Sequence, residues 1–127
     1  MKIHAATLVV PDYDEGLAFY VGKLGFECRA DHDLGSGKRW ILVAPTGAET
    51  ALLLAEAKGE DQEASIGYQT GGRVSFFLQS NDFRSDYERM KSVGVTFEEE
   101  PRHEPYGSVA VFRDPFGNRW DLLQLNS

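Results

Sequence analysis

Residues 10–26 read Val-Pro-Asp-Tyr-Asp-Glu-Gly-Leu-Ala-Phe-Tyr-Val-Gly-Lys-Leu-Gly-Phe. This is a helix with its start and stop signals written beside it. Pro11 ends a β-branched, apolar run from Ile3 to Val10 that reads as a strand. Asp12, followed three residues later by Glu15, forms an N-cap and capping box, in which side-chain oxygens take up N–H groups that the first turn cannot satisfy internally. Tyr13, Leu17, Tyr20 and Leu24 recur at i, i+4, i+7 and i+11, one face of an amphipathic helix. Gly25 suits the left-handed residue on which a helix ends.

Residues 80–95, Ser-Asn-Asp-Phe-Arg-Ser-Asp-Tyr-Glu-Arg-Met-Lys-Ser-Val-Gly-Val, repeat that plan. Face positions 13, 17 and 20 map onto 83, 87 and 90 with a constant offset of 70, as Asp12 maps onto Asp82. The closing glycines, 25 and 94, differ by 69, so the second helix is one residue shorter. A shared register of strand, cap, face and stop points to two copies of one structural unit.

Three strands are expected after the first helix, over 26–33, 39–44 and 50–56, parted by Gly35-Ser36-Gly37 and Pro45-Thr46-Gly47. A polar, aperiodic stretch, 57–72, reads as a connector. Strand 73–80 then precedes the second helix, and strands 95–100, 108–113 and 119–125 follow it, the last two joined by the turn Asp114-Pro115-Phe116-Gly117-Asn118. The chain is thus expected to be one α+β domain of two βαβββ modules, 1–56 and 73–127.

The bulk properties exclude several functions. Apolar residues at 42% and charged residues at 26% of 127 give a globular composition with enough chain for a core. A net charge of −7 disfavours nucleic acid and anionic membrane as partners, since both are held through Lys and Arg. No apolar run approaches the roughly 20 residues that span a bilayer. Met1-Lys2-Ile3-His4 leads straight into a strand, and Cys28 has no second cysteine to pair with. A cytoplasmic setting is therefore expected.

Specific strings carry a resemblance across essentially the whole chain. Val10-Pro11-Asp12, Leu17-Ala18-Phe19-Tyr20 and Leu24-Gly25-Phe26 open it, and Gly94-Val95, Phe97 and Pro105-Tyr106-Gly107 continue it. The segment from Phe112 through Asp114-Pro115-Phe116-Gly117-Asn118 to Leu122 closes it. Together these resemble the vicinal-oxygen-chelate superfamily of glyoxalases, bleomycin-resistance proteins and extradiol dioxygenases. The resemblance implies modules that curl into a cup around a small ligand, commonly in a homodimer.

It also implies where a metal would sit. Enzymatic relatives place His, Glu or Gln on the first and last strand of each module, holding a divalent ion that chelates adjacent substrate oxygens. The first-strand position, seven residues before the capping Asp, is Ala5 here and Ser75 in the second module. The last strand of the first module offers only Ala51-Leu52-Leu53-Leu54-Ala55, and that of the second offers Asp121. One carboxylate is too few, since a catalytic ion takes about three protein ligands. His4 is one residue out of phase and points to the opposite face unless a bulge intervenes. His32 and His103 read as loop histidines, and Glu56 as a solvated strand end. No cofactor is expected.

With Ala5 and Ser75 facing inward, alternation brings Thr7, Arg73, Phe77, Gln79, Arg119 and Asp121 to the inner face or rim. Arg73 is placed either to grip a carboxylate or phosphate or to pair with Asp121 or a surface glutamate. Asp121 is the best catalytic candidate, as a general base, and otherwise a structural carboxylate. Tyr106 borders the mouth and can stack on a planar ligand. Trp40 serves either the cleft or ordinary packing, whereas Trp120 alternates with Asp121 and belongs to the core. Cys28 is expected to be buried or inert, and Glu98-Glu99-Glu100 to be a solvated strand end.

The expected function is metal-free binding of a small organic molecule in a homodimer cleft, by Thr7, Trp40, Arg73, Ser75, Phe77, Tyr106, Arg119 and Asp121. The alternatives are an enzyme of lyase, isomerase or dioxygenase-like class using Zn, Ni, Fe or Mn in an unusual ligand set, and an accessory domain with a vestigial cleft.

Overall fold

A computed structural model describes residues 1–126. The chain divides into two units, Met1–Ile66 and the residues from Gly67 onward.

The first unit runs β1 (Ala5–Val10), α1 (Tyr13–Leu17), a π-helical segment (Ala18–Lys23), β2 (Glu27–Gly35), β3 (Lys38–Ala44), β4 (Ala51–Glu56) and α2 (Glu60–Ser65). Asp12 caps α1 as expected, its Oδ1 accepting the Glu15 N–H at 3.0 Å. The sheet order is β1-β4-β3-β2, with β1 parallel to β4 and the other pairs antiparallel. The helix side of the sheet is the core: Leu8, Val10, Ile41, Val43 and Leu54 are buried with Tyr13, Phe19, Tyr20, Leu24 and Phe26. Tyr20 meets Phe19 edge-on at 4.9 Å between ring centroids. Gly16 lies against Leu54, where an added Cβ would come within 3.0 Å of the Leu54 side chain. The expected face residue Leu17 is only half-buried.

The second unit runs β5 (Phe76–Gln79), α3 (Phe83–Ser92), β6 (Thr96–Phe97), β7 (Arg102–Glu104), β8 (Gly107–Arg113) and β9 (Arg119–Leu125). Its order, β5-β9-β8-β6, reproduces that of the first sheet, and β5 again runs parallel to the last strand. Asp82 Oδ1 accepts the Ser85 N–H at 3.2 Å, so both caps of the repeat are real. An aromatic chain fills the helix side: Tyr87 lies 4.5 Å from Phe97, Phe97 5.6 Å from Phe112, Phe112 5.6 Å from Trp120, and Trp120 4.6 Å from Phe76. Trp120 is core, as its alternation with Asp121 predicts.

The one-residue difference between the helices has a structural form. The Tyr20 carbonyl accepts from the Phe26 N–H, and the equivalent Met90 carbonyl accepts from the Val95 N–H. The same closing bond therefore spans one more residue in the first unit, and the surplus is taken up as π-helix. Gly25 and Gly94 both adopt positive φ at the stop, 81° and 91°.

Several expectations need correction. The connector is not without structure, because α2 forms within it. The strand expected over 73–80 pairs regularly only over Phe76–Gln79: the Thr70 hydroxyl bonds the Arg73 carbonyl (2.8 Å) and the Ser75 hydroxyl (3.1 Å), holding the preceding residues as a side-chain-fastened loop. The strand expected over 95–100 shrinks to Thr96–Phe97, and the loop holding His103 contains β7. Both β6 and β7 pair with β8, so together they occupy the place of β2, interrupted where Pro101 has no N–H to donate. Cys28 is exposed rather than buried, because β2 is an edge strand. The glutamate run is not simply solvated. Glu98 takes Arg113 (2.6 Å) and Arg119 (2.9 Å), and Glu99 takes Arg102 (2.7 Å).

Among the described residues no helix is long and apolar enough to cross a membrane.

Candidate functional site

The pleat decides which side chains each sheet offers to a ligand. In β1 the register with β4 is unbroken from Ala5↔Ala51 to Val10↔Glu56, so no bulge intervenes. Leu8 and Val10 face the helix, which places Ala5, Thr7 and Val9 on the other side. His4 shares the phase of Leu8, opposite to Ala5. Across the ladder Thr7 pairs with Leu53, and on β3 Leu42 pairs with Leu53. One end of this open face is closed by a small apolar cluster of Leu42, Ala44 and Ala51, packed with Ala5, Ala30, Ala48 and Leu53.

The other end opens into a pocket of about 480 Å³, whose walls include Thr7, Leu53, Ala55, Leu34 and Trp40. Trp40 is 37% exposed and Leu34 55%, so both carry apolar surface into it. Tyr13 and Arg39 form a further wall. The guanidinium lies 5.4 Å above the Tyr13 ring and is tied by Nη1 to Asp14 (2.9 Å) and by Nη2 to Asp31 (2.7 Å). Glu56, expected to be solvated, turns inward to accept the Tyr13 N–H at 3.3 Å. Lys58 and Gln62 complete the rim from the connector, where Gln62 Oε1 accepts the Lys58 N–H at 2.9 Å. Leu34, Lys38, Lys58 and Gln62 were not singled out in the sequence. They lie in turn-rich or polar segments with no periodicity to mark a face.

In the second unit Phe77 pairs with Asp121 on the face opposite the Phe76–Trp120 contact. Phe77 is 65% exposed. Arg73, Phe77, Arg119 and Asp121 come together with Gly72 and Val74 around a second pocket of about 430 Å³, more open than the first. Ser75 shares their phase but spends its hydroxyl on Thr70. Tyr106 sits on the β7–β8 turn, 52% exposed, and lines neither pocket. The anticipated Arg–Asp pair does not form. Arg119 gives Nε (2.9 Å) and Nη2 (3.1 Å) to Glu98 and Nη1 to the Gly72 carbonyl (3.1 Å), while Arg73 makes no ion pair among the described residues.

Asp121 is thereby left in an unusual state. Its Oδ1 is buried without a hydrogen-bond partner. Burial raises its pKa, Glu99 adds to the rise, and Arg102 and Arg119 oppose it. Protonation therefore favours the folded chain. This contribution is present below the unfolded pKa of about 4 and is lost as the pH climbs through the raised folded value. Asp121→Asn, which cannot ionise, should raise the melting temperature relative to the parent at pH 7, and the gain should shrink towards pH 4. Thermal unfolding of both proteins across that range checks the sign, and a gain that grows on acidification would refute it.

The four strand positions that bear ligands in chelating relatives here carry Ala5, an apolar β4, Ser75 and Asp121. Among the described residues no three His, Cys, Asp or Glu side chains group to hold a metal.

Two sheets that share one strand order define an α+β fold, and comparison with known proteins gives its family. A sequence model of the Glyoxalase/Bleomycin resistance protein/Dioxygenase superfamily matches residues 2–122, and the chain belongs to that superfamily. An uncharacterized protein of Shewanella frigidimarina is 49% identical over 126 residues, covering 98% of this chain and 93% of that one. The crystal structure of UcmS2 is similar at a TM-score of 0.84 and 34% identity, covering 97% of both chains. TnmS3, an antibiotic binding protein from Streptomyces sp. CB03234, is similar at 0.80 and 30%, covering 99% of this chain and 97% of that chain.

Proposed function

We propose that this protein binds a small aromatic molecule, in the manner of the bleomycin-resistance branch of its superfamily, as a homodimer and without a divalent metal. The observation that carries the reading is the pocket on the open face of the first sheet. Trp40 and Leu34 hold apolar surface exposed there, beside strand positions Thr7 and Leu53 that carry no chelating group. Exposed Trp and Leu at a concave site are costly in water and favourable against a ligand. The likeness to TnmS3 supports the same reading.

The test is a screen of aromatic compounds by thermal shift, followed by titration of tryptophan fluorescence in a Trp120→Phe background so that Trp40 alone reports. Saturable quenching with a matching rise in melting temperature is the expected result. Absence of both across a broad aromatic library would overturn the reading.

A second reading, an enzyme of lyase, isomerase or dioxygenase-like class, draws on one observation, the Asp121 carboxylate with its raised pKa and unpartnered oxygen. Its metal-dependent form is favoured only if Zn, Ni, Fe or Mn raises the melting temperature at one ion per chain, with reversal by chelator.

A further inference from the structure

The charges around the first-sheet pocket run against the balance of the chain. The molecule carries −7, yet the residues lining this pocket include Lys38, Arg39 and Lys58 against a single carboxylate, Glu56. Their states differ. Arg39 is already engaged by two carboxylates, Asp14 and Asp31, neither of which lines the pocket. Glu56 directs its Oε2 to the first N–H of α1, where the helix end is partly positive. Glu60 and Asp61 follow Lys58 on the connector but neither lines the pocket nor pairs with it. Lys38 and Lys58 remain, and among the described residues neither ammonium has an ion-pair partner.

Two uncompensated ammonium groups beside an exposed indole form a composite recognition surface. The indole and Leu34 offer a flat apolar wall, and the two long, flexible side chains can reach a charge at the ligand's edge. We propose that this pocket takes a planar aromatic ligand bearing an anionic group, such as a carboxylate, which Lys38 and Lys58 receive while Trp40 stacks on the ring. The inference rests on the binding function proposed above and adds to it the charge of the ligand. A cationic aromatic meets two like charges and is disfavoured.

Three probes of nearly equal shape separate the possibilities: 2-naphthoate, 2-naphthamide and 2-naphthylmethylammonium. Titrated at low ionic strength, 2-naphthoate should bind about tenfold more tightly than the amide, corresponding to about 1.4 kcal/mol, and the ammonium most weakly. Raising salt to about 0.5 M should erode the preference, because exposed charges are screened within a few ångströms there. The double variant Lys38→Gln/Lys58→Gln should bind acid and amide alike, with an unchanged melting temperature. Equal affinity for acid and amide in the parent protein, or a preference that survives in the double variant, overturns this inference and leaves the binding function standing. Failure of all three probes, together with silence across the wider aromatic library, overturns both.

Discussion

Asp114→Ala is expected to cost about 3 kcal/mol or more, a fall in melting temperature on the order of 10 °C. Asp114 and Asn118 are both almost completely buried in the turn between β8 and β9. Asp114 Oδ1 accepts the N–H of Phe116 (3.0 Å) and of Asn118 (2.8 Å), and Oδ2 accepts Asn118 Nδ2 at 2.7 Å. Its own N–H closes the turn on the Asn118 carbonyl at 3.0 Å. Alanine removes every side-chain acceptor and strands the Asn118 amide in a site that water does not reach, so the loss exceeds that of a single hydrogen bond. Asp114→Asn should cost much less. Asn118 Oδ1 has no partner, so rotation of that amide offers the new NH2 an acceptor while one oxygen still serves the backbone. Urea unfolding of the three proteins measures the ladder of stabilities, and an Asn variant no better than the Ala variant would show that the charge, not the hydrogen-bond geometry, holds the turn.

That turn explains why part of this molecule was legible from sequence. Asp114, Gly117 and Asn118 act on their own neighbours, as do Asp12 and Asp82 at the helix starts, so local sequence suffices to read them. The pleat phase was equally readable, because one residue of known facing sets a whole strand. His4 falls on the helix side for that reason, and Trp120 and Asp121 take opposite faces. The failures involve partners distant in sequence. The pair read for Arg73 with Asp121 does not form, and the β6–β8 pairing instead delivers Glu98 to Arg119, 21 residues away. Nor did anything in the sequence announce β7, whose Glu104↔Gly107 pair closes the turn that carries Tyr106. Lys38 and Lys58 are ordinary polar-loop residues until folding sets both beside Trp40.

The proposed function and the metal question share one physical root. A strand position turned towards the open face must carry something, and the choice fixes the chemistry available. Thr7 and Leu53 line the first pocket without a chelating group, so in the proposed function binding energy there would come from surface burial and from the lysines at the rim. Asp121 stands apart. It keeps a carboxylate on the open face of the second sheet, at a desolvation cost visible in its raised pKa.

Trp40→Ala decides between the two pockets, and its expected effect on 2-naphthoate binding is a loss of about 30-fold. A stacked ligand covers roughly 80 Å² of the indole, which at about 25 cal/mol per Å² gives roughly 2 kcal/mol. That converts to about 30-fold in Kd. Trp40 already exposes 37% of its surface and belongs to neither the helix-side core nor the alanine cluster, so stability should move by less than about 1 kcal/mol. Phe77→Ala removes the most exposed ring of the second sheet and should leave 2-naphthoate affinity within about threefold of the parent. Titration of all three proteins, with 2-naphthoate fluorescence as the signal, reads both numbers. The reverse pattern, with Phe77 essential and Trp40 dispensable, would move the ligand to the pocket of Arg73 and Asp121. There the unpaired guanidinium would take the carboxylate, and the orphaned Oδ1 would select ligands that also carry a hydrogen-bond donor.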